Sequence, residues 1–130
     1  MTDTTTTPDI AAVTATIDTY FAMLNEADDA RRAELAGQAF DPAGVFVDPL
    51  ARCDGPDAIA QMVGAAMQQF PGHRFARTSG IDTHHKVVRF SWELAAGDGT
   101  VAVDGIDVGT LAADDRLTGI AGFFGPLPER

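Results

Sequence analysis

Apolar residues in the first half of the chain recur at helical spacing, and in the second half they alternate. Ile10, Val13, Ile17, Tyr20, Phe21 and Leu24 fall three and four apart and predict a first helix with one apolar stripe. Pro8 and Asp9 suit its opening turn. Asn25 to Asp29 break the pattern, and a shorter helix is predicted from about Ala30 to Phe40, with Leu35, Ala39 and Phe40 inward. Asp41-Pro42-Ala43-Gly44 reads as its end. Val45 to Asp48 reads as a short strand closed by Pro49, with Val45 and Val47 on one side and Phe46 and Asp48 on the other. Asp54-Gly55-Pro56-Asp57 opens a third helix whose stripe is Ile59, Met62, Val63, Ala66, Met67 and Phe70, and Pro71-Gly72 stops it.

Beyond this point the period is two. Arg74 to Asp82 is strand-like, and Thr83-His84-His85 reads as a turn. Lys86 to Ala95 alternates, with Val88, Phe90, Trp92 and Leu94 on one face. Gly97-Asp98-Gly99 signals a hairpin, Val101 to Leu111 follows, and Arg116 to Phe124 is the last strand. Helices mostly first and an antiparallel meander after predict an α+β fold, a curved sheet with three helices on one face. Residues 9–125 are expected to form one domain, with a disordered tail at 1–8 and a C-terminal tail at 126–130. A sheet curled over helices leaves a cone, a natural place for a small-molecule pocket.

Composition narrows the partners. The net charge is −10, from 9 basic and 19 acidic residues, which disfavours phosphate backbones and anionic lipid. The expectation is therefore no nucleic acid and no membrane partner. The N-terminal stretch Thr2 to Pro8 has no basic and no apolar segment, so it does not read as a secretory signal. A single cysteine, Cys53, allows no internal disulfide and fits a cytoplasmic location. It lacks a nearby histidine, and Asp54 beside it disfavours the thiolate.

Two carboxylates stand inside apolar, strand-like runs: Asp48 in Phe46-Val47-Asp48-Pro49-Leu50 and Asp107 in Asp104-Gly105-Ile106-Asp107-Val108. A charged group there is costly unless it is paired, hydrogen-bonded or kept protonated. Asp107 shares a strand face with Val101, Val103, Gly105, Gly109 and Leu111; Asp104 lies on the other face with Ala102, Ile106 and Val108. If Val101 and Val103 line the cone, Asp107 does too, and its proton affinity rises with desolvation. Asp48 shares a face with Phe46 and could be an ionised base at the mouth of the same cone. Tyr20, the only tyrosine, is a candidate hydrogen-bond donor into it. The simpler reading is that the carboxylates cap turns in water and that Tyr20 bonds to a backbone carbonyl. His73, His84 and His85 show no metal-site spacing, and phosphate-loop and nucleophile-elbow motifs are absent.

Three stretches together resemble a known family: Tyr20 to Asn25, Val45 to Pro49, and Asp104 to Val108 followed by Asp114-Asp115-Arg116-Leu117. With the order of elements over about residues 10–124, they are similar to the NTF2-like cone fold and its SnoaL-like and ketosteroid-isomerase-like members. In the isomerase branch a strand Asp before Pro is the general base, which Asp48 matches. A tyrosine on the first helix and a protonated Asp on a later strand form the oxyanion hole, and Tyr20 and Asp107 match those positions. Phe40 and Val63 stand where some isomerases carry further tyrosines. The resemblance implies cofactor-independent proton transfer next to a carbonyl, on a hydrophobic carbonyl-containing small molecule. Phe46, Met62, Phe90, Trp92, Phe123 and Phe124 are candidates for the apolar wall. A polyketide cyclase using the same acids, or a non-catalytic binder or dimeric scaffold, are the alternatives. The outward Ile106 and Val108 suggest a homodimer.

Overall fold

In the computed structural model, which describes residues 9–130, α1 (Ile10–Leu24) starts at Asp9, whose carboxylate accepts from the Ala12 amide at 3.1 Å. Asp28 caps α2 (Asp29–Ala39) in the same way, accepting from the Arg31 amide at 2.8 Å. α3 (Pro56–Gln69) follows Gly55, which takes the left-handed region at φ 92°, and Pro56 opens its first turn. The expected tail at residues 1–8, with Pro8, lies outside the described residues. No described helix is long and apolar enough to cross a membrane.

The strands are β1 (Phe40–Val47), β2 (Arg52–Asp54), β3 (Arg74–Arg77), β4 (Asp82–His84), β5 (Val87–Ala95), β6 (Val101–Leu111) and β7 (Leu117–Phe124). They form one curved, unclosed sheet in the order β2-β1-β7-β6-β5-β3, with β4 also paired to β5. The later strands pair antiparallel as expected, but β1 lies parallel to β7, so the sheet is mixed. Local alternation cannot reveal that pairing, because the two strands are separated by most of the chain.

Three local expectations are corrected. Phe40 is the first residue of β1, and Asp41 to Gly44, expected to be a turn, belong to that strand. They fall in a register shift between Phe40 and Val45 against β7, a bulge that accommodates Pro42 and its missing N–H. Arg52 to Asp54 forms a short strand on β1 that had no sequence signal. The segment Arg74 to Asp82 splits into β3 and β4, so the turn is made by His85 and Lys86, at φ 47° and 62°.

The inner face of the sheet and the helices share one core. Ile17, Tyr20 and Met23 of α1 are fully buried beside Phe40, Val88, Phe90, Leu117 and Ile120. Arg32, on α2, is also buried, at 4 % exposure. Its guanidinium donates to the Ala60 carbonyl at 2.9 Å and the Glu26 carbonyl at 2.9 Å, and pairs with Asp29. This side chain ties the α1–α2 connection to α3.

Candidate active site

Between the helices and the inner face of the sheet lies a cavity of about 260 Å³. Its wall is mostly apolar, from α1 (Leu24), α3 (Met62, Val63, Ala66, Phe70) and the sheet (Phe46, Phe75, Leu94, Val103, Phe124). The ionisable side chains in this wall are Tyr20, Asp48 and Asp107; Gln69 adds a neutral amide. The sequence had placed the three ionisable groups together, and the fold brings them to one cavity from α1, the end of β1, and β6.

Asp107 sits in the middle of β6, opposite Phe90 on one side and Gly122 on the other. It is 4 % exposed. Tyr20 Oη donates to its Oδ2 at 2.9 Å, and Trp92 Nε1–H donates to its Oδ1 at 3.0 Å. Burial pushes the carboxyl up from 3.8 to about 6; the Tyr20 and Trp92 hydrogen bonds oppose this, and the charge of Asp48 adds to it. The Tyr20 phenol, wholly buried, is held well above its ordinary range by desolvation first and by Asp107 second.

Asp48 follows β1 and folds back on its own turn. Its Oδ1 accepts from the Leu50 and Ala51 amides, each at 2.8 Å, while its own amide donates to the Ala51 carbonyl at 3.0 Å. The simpler reading holds in part for Asp48, which is a turn carboxylate and a cavity wall residue at once. These bonds engage Oδ1, and no side-chain hydrogen bond among the described residues engages Oδ2.

Gly122 stands between the two acids. A Cβ there would lie 3.0 Å from Asp107 Oδ1 and 3.4 Å from Asp48 Cβ. Gly105 plays a different part: it faces Trp92 across β5 and β6, and a Cβ would collide with the Phe123 carbonyl and stand 2.8 Å from the indole. Both glycines therefore keep space that the network needs.

Of the expected wall residues, Phe46, Met62, Trp92 and Phe124 line the cavity. Two expectations are corrected. Phe90 is buried behind the cavity, packed edge-on against Tyr20 and Phe21 at 6.1 and 5.6 Å, and it supports the phenol. Phe123 faces the opposite side of β7 and is 59 % exposed. The alternation of β7 would have shown that Phe123 and Phe124 cannot share a face.

Sequence reasoning gave Trp92 only an apolar part and missed its bond to Asp107. Two signals were available: a buried indole needs an acceptor, and a residue opposite Gly105 is a diagonal neighbour of position 107 on the same face. Cys53 is buried beside β1 and lies outside the cavity wall; burial raises its thiol first, and Asp48 and Asp54 raise it further. His73, His84 and His85 also lie outside the wall. Among the described residues no group of three or more His, Cys, Asp or Glu side chains could hold a metal ion.

Comparison with known proteins bears on the family and the fold. The model of the SnoaL-like domain matches residues 17–120. A solved SnoaL-like family protein from Agrobacterium tumefaciens str. C58, named as a candidate isomerase, is 38 % identical; the match covers 89 % of this chain and 99 % of that one, with a TM-score of 0.83. An NTF2-like protein of unknown function from Exiguobacterium sp. 255-15 is 22 % identical over 86 % of this chain and 99 % of that one, with a TM-score of 0.67. A protein from Jannaschia sp. CCS1, named as a candidate SnoaL-like polyketide cyclase, is 13 % identical over 85 % of each chain, with a TM-score of 0.65. No curated protein matches the chain significantly. At these last two identities the likeness speaks for the fold, whereas the domain match takes in most of the sequence: the chain belongs to the SnoaL-like family.

Proposed function

We propose that the cone cavity is an isomerase-type active site for a hydrophobic carbonyl compound. One observation carries the reading: a buried carboxyl held by a phenol and an indole faces the same apolar cavity as a second carboxylate anchored by backbone amides. In this scheme Asp48 Oδ2 accepts a proton from the carbon next to the carbonyl. The electron pair of that C–H bond forms the enolate, whose oxygen takes a hydrogen bond from the Tyr20–Asp107 pair. Asp48 then returns the proton to a different carbon. Donors fixed in place before the charge develops can contribute about 3 kcal/mol each to lowering the barrier.

The wall also limits the substrate class. It holds two acidic side chains, of which Asp48 is the charged one in this scheme, and no cationic side chain. An anionic ligand would meet like charge in a low-dielectric space, so a neutral substrate is favoured.

The scheme requires Asp48 as a carboxylate and Asp107 as an acid. With Asp107 titrating near 6, the rate is expected to be highest just below that pH and to fall about tenfold per unit well above it. Enone isomerisation followed by ultraviolet absorbance tests the reading. Asp48→Asn is expected to lose about 10²–10⁴ of the rate, and a parent no faster than this variant would reject it.

A further inference from the structure

Asp107 has two oxygens, and the structure gives each a different partner: Trp92 Nε1 at Oδ1 and Tyr20 Oη at Oδ2. The two partners are not equivalent. An indole N–H can only donate, so Oδ1 must accept whatever the state of the acid. A phenol can donate or accept. The indole is held for this task by Phe75 and Phe124, at centroid distances of 5.9 and 5.8 Å, and by the space that Gly105 leaves.

We propose that Trp92 is a positioning residue that directs the acid proton of Asp107 to Oδ2 and so couples that proton to the direction of the Tyr20 hydroxyl. A carbonyl oxygen accepts better than an acid hydroxyl oxygen, so the N–H contact keeps Oδ1 as the carbonyl and leaves the hydrogen on Oδ2. That hydrogen faces Tyr20 Oη, 2.9 Å away, and donates to it. The phenol must then turn its own hydrogen elsewhere, and the cavity is the side it lines. When Asp107 loses its proton, Oδ2 takes the phenol hydrogen back and the cavity loses its donor. A single proton thus switches the site between a form that offers a hydrogen bond to a ligand oxygen and one that does not.

The groups acting on this switch are few. Asp48, at the end of β1, raises the affinity of Asp107 for its proton, and Tyr20 and Trp92 lower it. α3, β3, β5 and β7 bring no ionisable side chain to the cavity wall among the described residues. Only the last step, the donor turned toward a ligand oxygen, rests on the isomerase reading. The switch itself can be tested without substrate or turnover, so its failure is distinct from failure of that reading.

The chain has one tryptophan and one tyrosine, so nuclear magnetic resonance signals from each are unambiguous. The indole Nε1–H of Trp92 and the ring carbon bearing the Tyr20 hydroxyl should be followed from pH 4 to 8 with the Asp107 carboxyl carbon. All three are expected to shift with one shared midpoint. In Trp92→Phe the Asp107 midpoint is expected to move upward, by more than about half a pH unit, because a donor that favours the carboxylate is gone. In Asp107→Asn, which keeps an acceptor for the indole and cannot titrate, the indole and phenol signals are expected to stay flat. An indole signal that ignores the Asp107 titration in the parent protein overturns the proposal. So does an unchanged Asp107 midpoint in Trp92→Phe; should that variant not fold, the comparison of the parent with Asp107→Asn decides alone.

Discussion

At the scale of single residues, Asp107 links the proposed function to stability. Its folded-state value of about 6 stands above the ordinary 3.8. Between those values the folded protein keeps a proton that the unfolded chain has released. The contribution of Asp107 to stability is therefore fully present below about pH 4, is lost as pH rises through about 6, and is level beyond that. The loss is on the order of 3 kcal/mol. Urea midpoints measured from pH 4 to 8 are expected to show this slope in the parent and to lose it in Asp107→Asn. Gly122→Ala places a methyl against both acids and is expected to weaken the Trp92–Asp107 contact, read as a displaced indole N–H signal. The three ionisable members of the site were legible because each is a polar group in an apolar pattern. Trp92 was not, since an indole on an inward strand face fits the pattern whether or not its N–H has work to do. Phe123 was misplaced because two adjacent phenylalanines look equally apolar while the pleat sends them to opposite faces.

At the scale of elements, two side chains fasten pieces whose relation the periodicity does not reveal. Asn25, at the end of α1, donates from Nδ2 to the Phe75 carbonyl at 2.9 Å and accepts the Phe75 amide at 2.8 Å. This amide replaces a strand neighbour for β3 and holds Phe75 in the cavity wall. Asn25→Ala is expected to cost about 1–2 kcal/mol and to speed hydrogen exchange at the Phe75 amide. Arg32 fastens α2 to α3 from within. Arg32→Ala removes a buried side chain with its hydrogen bonds to the Ala60 and Glu26 carbonyls and is expected to cost about 2 kcal/mol in thermal or urea unfolding. The three helices were legible because their stripes are long and their caps are of ordinary type. The boundary between α2 and β1 was not. Pro42 and Gly44 signal a turn by composition, yet here they occupy a bulge in a strand.

At the scale of the molecule, the order of elements was enough to place the fold, and the family resemblance suggested the roles proposed for Tyr20, Asp48 and Asp107. The mixed character of the sheet was out of reach, because β1 pairs with the last strand of the chain. The outer face of the sheet is a separate matter. Ile106 and Phe123 pair across β6 and β7, and both are exposed, as is Val108. We propose that a second copy of the chain covers this face, with a concentration-dependent dimer expected in sedimentation and weakened by Phe123→Asp. A monomer at micromolar concentration would contradict it. The account as a whole rests on one apolar cavity giving its two acids different proton affinities, and the most direct measurement is a carbon-13 titration of the Asp107 carboxyl in the folded protein. A midpoint near 6 is expected; a midpoint at the ordinary aspartate value of 3.8 would contradict the account.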